Sequence, residues 1–195
     1  AVASLAEISH DRFALGVGAG WLAEEFEAIG VPFRTRGKRI DESLAVLRAC
    51  LGGGVVEHHG DMFDFAPLEV SPTPVRVPII IGGNSEAGLR RAARIGDGWF
   101  SSGTPDFDEA VRLRDRLQEL RRELGKEAEP FETVVRIEGA DPADVHRYVT
   151  AGFDHVVLWA DQVWPEGGSL EEKRARLTHA AAVLRDATQD LNQEK

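Results

Sequence analysis

Cysteine, methionine and tyrosine are almost absent, since each occurs once in the 195 residues. With Cys50 as the single cysteine, the chain cannot form an internal disulfide, and we expect a protein of the reducing cytoplasm. Long hydrophobic runs are also missing, so the sequence predicts no membrane-spanning helix and no membrane partner.

Positive charge is scarce as well. Lys and Arg total 23 against 33 Asp and Glu, which gives a formal net charge of −10. The basic residues stand beside acids on predicted helices, as in the segment RRELGKE over 121–127. Nucleic-acid binding requires a concentrated basic surface, so this composition argues against it.

Patterns for metal sites and nucleophilic catalysis are missing too. His58 and His59 are neighbours on a predicted strand, where adjacent side chains point to opposite faces. They therefore predict an exposed hairpin tip and no metal site. Ser101 and Ser102 lack the G-x-S-x-G frame of a serine nucleophile, so the sequence leaves the catalytic residues unknown.

The chain contains alternating predicted strands and helices. Short apolar runs alternate with amphipathic helices, which predicts an α/β fold with a parallel sheet and right-handed crossovers. Residues 55–65 interrupt the alternation and predict a small β-hairpin that turns at Gly60. Five βα units are expected, with strands that begin at Phe13, Ile79, Gly98, Thr133 and His155.

The segment 78–104, PIIIGGNSEAGLRRAARIGDGWFSSGT, organises the chain. It reads as a buried strand, a glycine turn, a helix, a second strand and a polar turn over 101–104. If the two strands are parallel neighbours, both turns lie at one edge of the sheet. Main-chain N–H groups that precede a helix can bind an anion such as a phosphate. An ordinary βα turn is an equally good interpretation.

The glycines of LGVGAG (15–20) suggest two nucleotide-binding alternatives. A Rossmann fingerprint requires glycine where Trp21 stands, so that reading fails. A methyltransferase-like glycine loop is closer, but it needs a following strand that ends in an acid. The segment 31–41 is polar and irregular, which makes the methyltransferase alternative weak.

Taken in order, GVGAGW, GDMFDF, IGGNS and GDGWF resemble the luciferase-like monooxygenase superfamily, most closely its branch of coenzyme F420-dependent oxidoreductases. The resemblance implies a (β/α)8 TIM barrel that carries a flavin or deazaflavin at the carboxyl ends of its strands. The chain matches strands four to eight as a single domain over 1–195, with a loose tail at 192–195. The opening segment 1–8 reads like the end of a helix, so we expect the first three strands to be missing.

The resemblance also implies site residues. Trp21 takes a position at the substrate face, where the sugar-phosphate dehydrogenase branch has a carboxylic acid, so that substrate is not expected. The acid/base histidine of the family belongs to the missing strands. Residues expected to contact the cofactor are Gly18, Ala19, Gly20, Gly82, Gly83, Asn84, Ser101, Ser102, Gly103 and Thr104.

The expected activity is hydride transfer between coenzyme F420, or alternatively FMN, and a small organic substrate. An FMN-dependent monooxygenase that uses a reductase partner is one alternative, and a non-catalytic barrel remnant that binds or assembles is another. We expect the full-length parent to be a homo-oligomer. The first and last strands of the five would be open edges, so the isolated segment should self-associate or be marginally stable. It should also bind cofactor weakly or not at all.

Overall fold

The computed structural model describes residues 1–10, 12–72, 76–139, 141–164 and 166–193. The chain divides into two compact units, residues 1–82 and 83–195. The expectation of one domain over the whole chain therefore stays a prediction, and each unit is described by itself.

The first unit combines two parallel strands with a separate hairpin. Strands β1 and β4 pair in parallel, with Leu15 opposite Ile79 and Val17 opposite Ile81. Both strands therefore end at the same edge. The elements are α1 (Val2–Ser9), β1 (Leu15–Val17), α2 (Ala23–Ala28), a 3-10 turn (Phe33–Thr35), α3 (Arg36–Gly52), β2 (Gly54–His59), β3 (Asp64–Val70) and β4 (Ile79–Gly82).

The predicted hairpin is confirmed as the antiparallel pair β2–β3, which has an irregularity between Val56 and His58. The second strand of the hairpin extends beyond the predicted end at residue 65, and Pro67 lies within it. Proline has no N–H to give to a ladder, and a bulged edge strand is where that loss is tolerated. On α3, Ile40 and Leu44 are buried one helical turn apart, as in the amphipathic helices that the sequence predicts.

The second unit contains three parallel strands. Strand β6 pairs with β5 on one side and with β7 on the other. The core of this unit includes the fully buried side chains of Trp99, Leu117, Val135 and Ile137. The elements are α4 (Glu86–Ile95), β5 (Gly98–Phe100), α5 (Phe107–Glu123), β6 (Glu132–Arg136), α6 (Pro142–Thr150), β7 (His155–Val157), α7 (Ala160–Val163) and α8 (Leu170–Gln193).

The α/β class and the five strands of the βα units are confirmed, each strand beginning within two residues of its predicted start. Among the strands that the structure describes, β1 and β7 have one neighbouring strand each. Helix α8 continues to Gln193, so the first half of the expected loose tail is helical. Residues 194–195 lie outside the described part of the chain.

Candidate functional site

The glycine turn after β4 leads directly into α4. Ser85 is the N-cap of α4, and its Oγ accepts a hydrogen bond of 3.2 Å from the N–H of Gly88. A Cβ on Gly88 would lie 3.2 Å from the backbone of Gly83, so the first helical turn packs tightly against the glycine turn. The N–H groups of Glu86 and Ala87 are in that first turn, where helix geometry provides no acceptor. Among the described residues these two N–H groups have no acceptor, so they can bind an external anion.

The polar turn after β5 contains residues with different environments. Ser101 is buried; its N–H donates to the carbonyl of Val134 (3.0 Å) and its Oγ accepts from the N–H of Arg136 (3.1 Å). This serine therefore joins β5 to β6 and is not open at the turn. Ser102 and Gly103 are exposed, and Gly103 has a φ of 69°, in the left-handed region.

Asn84 and Trp99 fasten the two turns of the second unit to each other. The amide of Asn84 donates to the Ser102 carbonyl and accepts from the Ser102 N–H, both at 2.8 Å. The indole N–H of buried Trp99 donates to the carbonyl of Gly83 (2.9 Å), and the N–H of Gly83 donates to the carbonyl of Phe100 (3.3 Å). The expected proximity of the Gly83 and Ser102 turns is therefore present in the structure.

These hydrogen bonds determine which main-chain N–H groups of the two turns are left without an acceptor. The N–H groups of Gly83, Ser101 and Ser102 are already used inside the protein. Within the described residues, the N–H groups of Gly103 and Thr104 have no acceptor. The open donors of the second turn therefore lie at its distal end.

Arg136 was not singled out in the sequence, although it ends β6 beside this turn. Its Nε donates to Thr104 Oγ1 at 3.1 Å, and its guanidinium carbon lies 4.1 Å from the ring centroid of Trp159. A charged residue at the carboxyl end of a predicted parallel strand was the available signal, because that edge carries the binding loops of such sheets.

An acidic residue also stands at the start of α4. Glu86 forms ion pairs with Arg116 (2.7 Å) and Arg90 (2.6 Å). The hydrogen bond from Arg116 is the main reason why the pKa of Glu86 lies below its ordinary value, and burial opposes it. Because two guanidinium groups compensate this carboxylate, its charge does not exclude an anion from the helix N-terminus.

A cavity of about 270 Å³ lies beyond Thr104, between the loops that follow β5 and β6. Its lining includes the carboxylates of Asp106, Glu138 and Asp144 and the single guanidinium of Arg147. That guanidinium stacks 3.6 Å from the ring centroid of Phe107. The excess of negative charge makes the cavity a poor phosphate site, so the anion-binding features are those of the two turns.

The remaining predicted residues belong to the first unit. Gly18, Ala19, Gly20 and Trp21 directly follow β1, and Gly82 ends β4, so all five are at the carboxyl edge of the β1–β4 pair. Trp21 is 83% exposed, which agrees with the expectation that it does not enter the core. Its contact with a substrate stays a prediction.

The two adjacent histidines have separate partners. His58 Nε2 lies 3.2 Å from Glu42 Oε1, and His59 Nδ1 lies 2.6 Å from Asp64 Oδ1. No group of three or more potential metal ligands occurs within the described ranges. None of the helices in the described part of the chain combines the length and apolarity required to cross a bilayer.

Comparison with known proteins shows the family to which the chain belongs. Residues 1–194 match the family model described as luciferase-like monooxygenase. The chain belongs to this family. The family assignment expected from the motifs is thus confirmed.

Two relatives illustrate the range of this luciferase-like family. An uncharacterized protein of Mycobacterium tuberculosis (strain ATCC 25618 / H37Rv) is 41% identical over 157 residues, which cover 80% of this chain and 54% of that protein. The 5,10-methylenetetrahydromethanopterin reductase of Archaeoglobus fulgidus is 32% identical over 136 residues, covering 69% of this chain and 40% of the reductase. The chain therefore spans about half the length of the curated relatives that it matches.

A solved structure shows the shared fold. An F420-dependent secondary alcohol dehydrogenase in complex with an F420-acetone adduct superimposes with a TM-score of 0.61 at 22% identity, covering 96% of this chain and 58% of the dehydrogenase. At this identity the similarity concerns the fold alone. Together with the parallel strands, it confirms the expected fold class, a portion of a luciferase-like TIM barrel.

Proposed function

We propose that the protein transfers a hydride between a deazaflavin, coenzyme F420, or a flavin and a small organic substrate. The observation that carries the proposal is the joined pair of turns in the second unit. Asn84 ties the start of α4 to the turn of Ser102, and open N–H groups lie on both sides of that link. Membership in the luciferase-like monooxygenase family supports a redox cofactor as the occupant.

The chemistry of the donor set fits the phosphate of such a cofactor. The N–H groups of Glu86 and Ala87 stand at the positive end of α4, and those of Gly103 and Thr104 stand on the second turn. Gly83 and Asn84 shape the first turn, while Ser101 and Ser102 hold the second in place. We assign these residues to the phosphate side of the cofactor.

The first unit would supply the contacts to the ring and substrate. By the family resemblance, Gly18, Ala19, Gly20 and Gly82 approach the cofactor, and Trp21 stands at the substrate face. When bound, the cofactor supplies the hydride chemistry, and this chain binds and orients it. Trp21 has no acidic proton, so it can present an apolar surface but cannot act as a general acid.

An FMN-dependent monooxygenase with a reductase partner is the second candidate, and the description of the matching family favours it. A non-catalytic binding or assembly module is a third, because the chain spans about half of its relatives. The proposal also includes a cytoplasmic location, a homo-oligomeric parent protein, and no nucleic-acid or membrane partner.

Equilibrium dialysis of the 195-residue chain against FMN and against coenzyme F420 tests the proposal. Saturable binding of F420 with little binding of FMN supports the deazaflavin oxidoreductase, and the reverse preference supports the monooxygenase. Binding of neither cofactor contradicts both enzymatic proposals for this chain taken by itself. Sizing chromatography on the same sample measures self-association, which we expect because β1 and β7 each have a single neighbour.

A further inference from the structure

Arg136 is a half-buried cation that lacks a counter-charge in the described residues. Its Nε donates to Thr104 Oγ1 (3.1 Å), but neither terminal nitrogen has a carboxylate or carbonyl acceptor there. A guanidinium carries five N–H donors, so most of its capacity is unused. Half-buried charges are usually paired, which makes this residue a candidate for an external anion.

Three contacts hold Arg136 in place. Its N–H donates to Ser101 Oγ, its Nε donates to Thr104, and its guanidinium stacks on the indole of Trp159 at 4.1 Å from the ring centroid. The side chain therefore loses little additional freedom when it binds a ligand. A planar, fixed guanidinium suits the two oxygens of a phosphate better than a flexible ammonium does.

Four other arginines of the second unit have partners for their guanidinium groups. Arg116 and Arg90 pair with Glu86, and Arg114 pairs with Asp115. Arg121 is buried, and its terminal nitrogen donates to the carbonyls of Lys126 and Glu129. Arg136 differs from Arg90, Arg114 and Arg116 because it has no carboxylate partner among the described residues. It differs from Arg121 because its terminal nitrogens have no acceptor there.

The surroundings of Arg136 specify the ligand group. Thr104, which it contacts, continues the exposed turn of Ser102 and Gly103, where two main-chain N–H groups are open. A cation beside neutral N–H and hydroxyl donors, without an opposing carboxylate in contact, matches a phosphate. We propose that Arg136 binds the cofactor phosphate, so that the chain selects phosphorylated flavins or deazaflavins over their phosphate-free forms. This inference rests on the proposed function.

The test compares ligands that carry the phosphate with ligands that lack it, and FMN and riboflavin differ by the phosphate alone. FMN and riboflavin are titrated into the unchanged chain and into Arg136→Gln, and coenzyme F420 and its phosphate-free riboside form a second pair. Arg136→Gln should weaken the binding of FMN or F420 about 10- to 100-fold. This is the usual range for the loss of a charge-assisted hydrogen bond. Binding of riboflavin or the riboside should change less than about twofold, because these ligands lack the group that the guanidinium contacts.

Two further variants make the result specific. Arg122→Gln removes the same charge from the exposed last turn of α5 and should leave both affinities unchanged. Arg136→Met keeps an apolar stem beside Trp159, and it replaces the Gln variant if that protein unfolds at a lower urea concentration. Both Arg136 variants should show the same loss of preference for the phosphorylated ligand.

Each outcome has a distinct meaning. If Arg136→Gln weakens the binding of FMN and riboflavin equally, Arg136 only stabilises the loop. If the preference for FMN over riboflavin is unchanged, the phosphate binds elsewhere. Either result overturns the inference while the proposed function stands. If the unchanged chain binds no flavin or deazaflavin of either kind, the proposed function fails and the inference fails with it.

Discussion

Asn84 and Ser102 exchange two hydrogen bonds, one in each direction and both 2.8 Å long. The side-chain amide of Asn84 thereby pairs with the main chain of Ser102, as a peptide group of a neighbouring strand would. Asparagine is suited to this position because one end of its amide donates and the other accepts. The link joins two turns that lie 18 positions apart in the chain.

Asn84→Ala removes both hydrogen bonds and should lower the free energy of unfolding by about 1–2 kcal/mol. Asn84→Asp should be at least as harmful to the turn, because it keeps the acceptor for the Ser102 N–H but sets a carboxylate oxygen against the Ser102 carbonyl. Urea denaturation measures stability, and FMN or F420 titration measures binding. If Asn84→Ala matches the unchanged protein in both, the link does not organise the site.

Trp99→Phe should destabilise the second unit. The indole is fully buried and donates to the carbonyl of Gly83, so the change leaves a void and an unpaired carbonyl. The expected loss is about 2–4 kcal/mol, together with weaker cofactor binding as the Gly83 turn relaxes. Trp164→Phe is the control, because Trp164 is 37% exposed and its replacement should cost about 0.5 kcal/mol or less. Equal urea midpoints for the two variants would contradict this role of Trp99.

Gly83→Val should reduce cofactor binding and also lower stability. The φ of Gly83 is 132°, a conformation that residues with a side chain rarely adopt, although an added Cβ would meet only Gly88 Cα at 3.7 Å. The backbone penalty should be about 1–3 kcal/mol, and a shifted turn would misdirect the nearby N–H groups.

Gly103→Asn is the matched control for Gly83→Val. The φ of Gly103 is 69° and open space surrounds its Cα, so asparagine, which tolerates the left-handed region, should cost less than about 1 kcal/mol. Urea denaturation and FMN titration of both variants test the difference. If Gly103→Asn were the more damaging of the two, the proposed difference between the turns would be wrong.

Acid should weaken the first unit through Glu42. Burial acts to raise the pKa of this carboxyl, but hydrogen bonds from the N–H groups of Phe63 and Met62, with His58 nearby, outweigh it and hold the pKa below 4.5. A lowered folded-state pKa contributes stability that is complete above the unfolded value and is lost as pH falls through the folded value. The hairpin tip should therefore loosen below about pH 4.5.

Glu42→Gln should remove most of this acid sensitivity and lower stability at neutral pH, since a neutral amide oxygen is a weaker acceptor for the two N–H groups. Glu57→Gln, at an exposed position on β2, is the control and should change neither property. Thermal unfolding measured from pH 3 to pH 7 makes the comparison. If the unfolding temperatures of the unchanged protein and of Glu42→Gln fall in parallel as the pH is lowered, the Glu42 carboxylate is not the cause of the acid sensitivity.

The positions of the elements could be predicted from local patterns. The run Ile79–Ile81 was expected to be a buried strand and is one, because three consecutive branched apolar residues favour a strand covered on both faces. The helix predicted after the glycine turn is present, and the side chain of Ser85 accepts the hydrogen bond of its N-cap. The hairpin was predicted to end at residue 65, but β3 continues through Pro67 to Val70. Tolerance of proline in a strand depends on the partner strand and its bulge, which the local sequence does not encode.

What the sequence by itself determined is the order of strands and helices, the glycine turns and the family, since these depend on periodicity, backbone preferences and ordered motifs. Which donors stay open was decided by the tertiary structure. Ser101 and Ser102 look alike in the sequence, yet one hydroxyl is buried against β6 and the other residue is exposed and bonded to Asn84. Only folding sets the guanidinium of Arg136 against Thr104 and Trp159, with no carboxylate partner in the part of the chain that the structure describes. Hydrogen bonds between residues distant in sequence depend on strand pairing, and that pairing exists only in the folded chain.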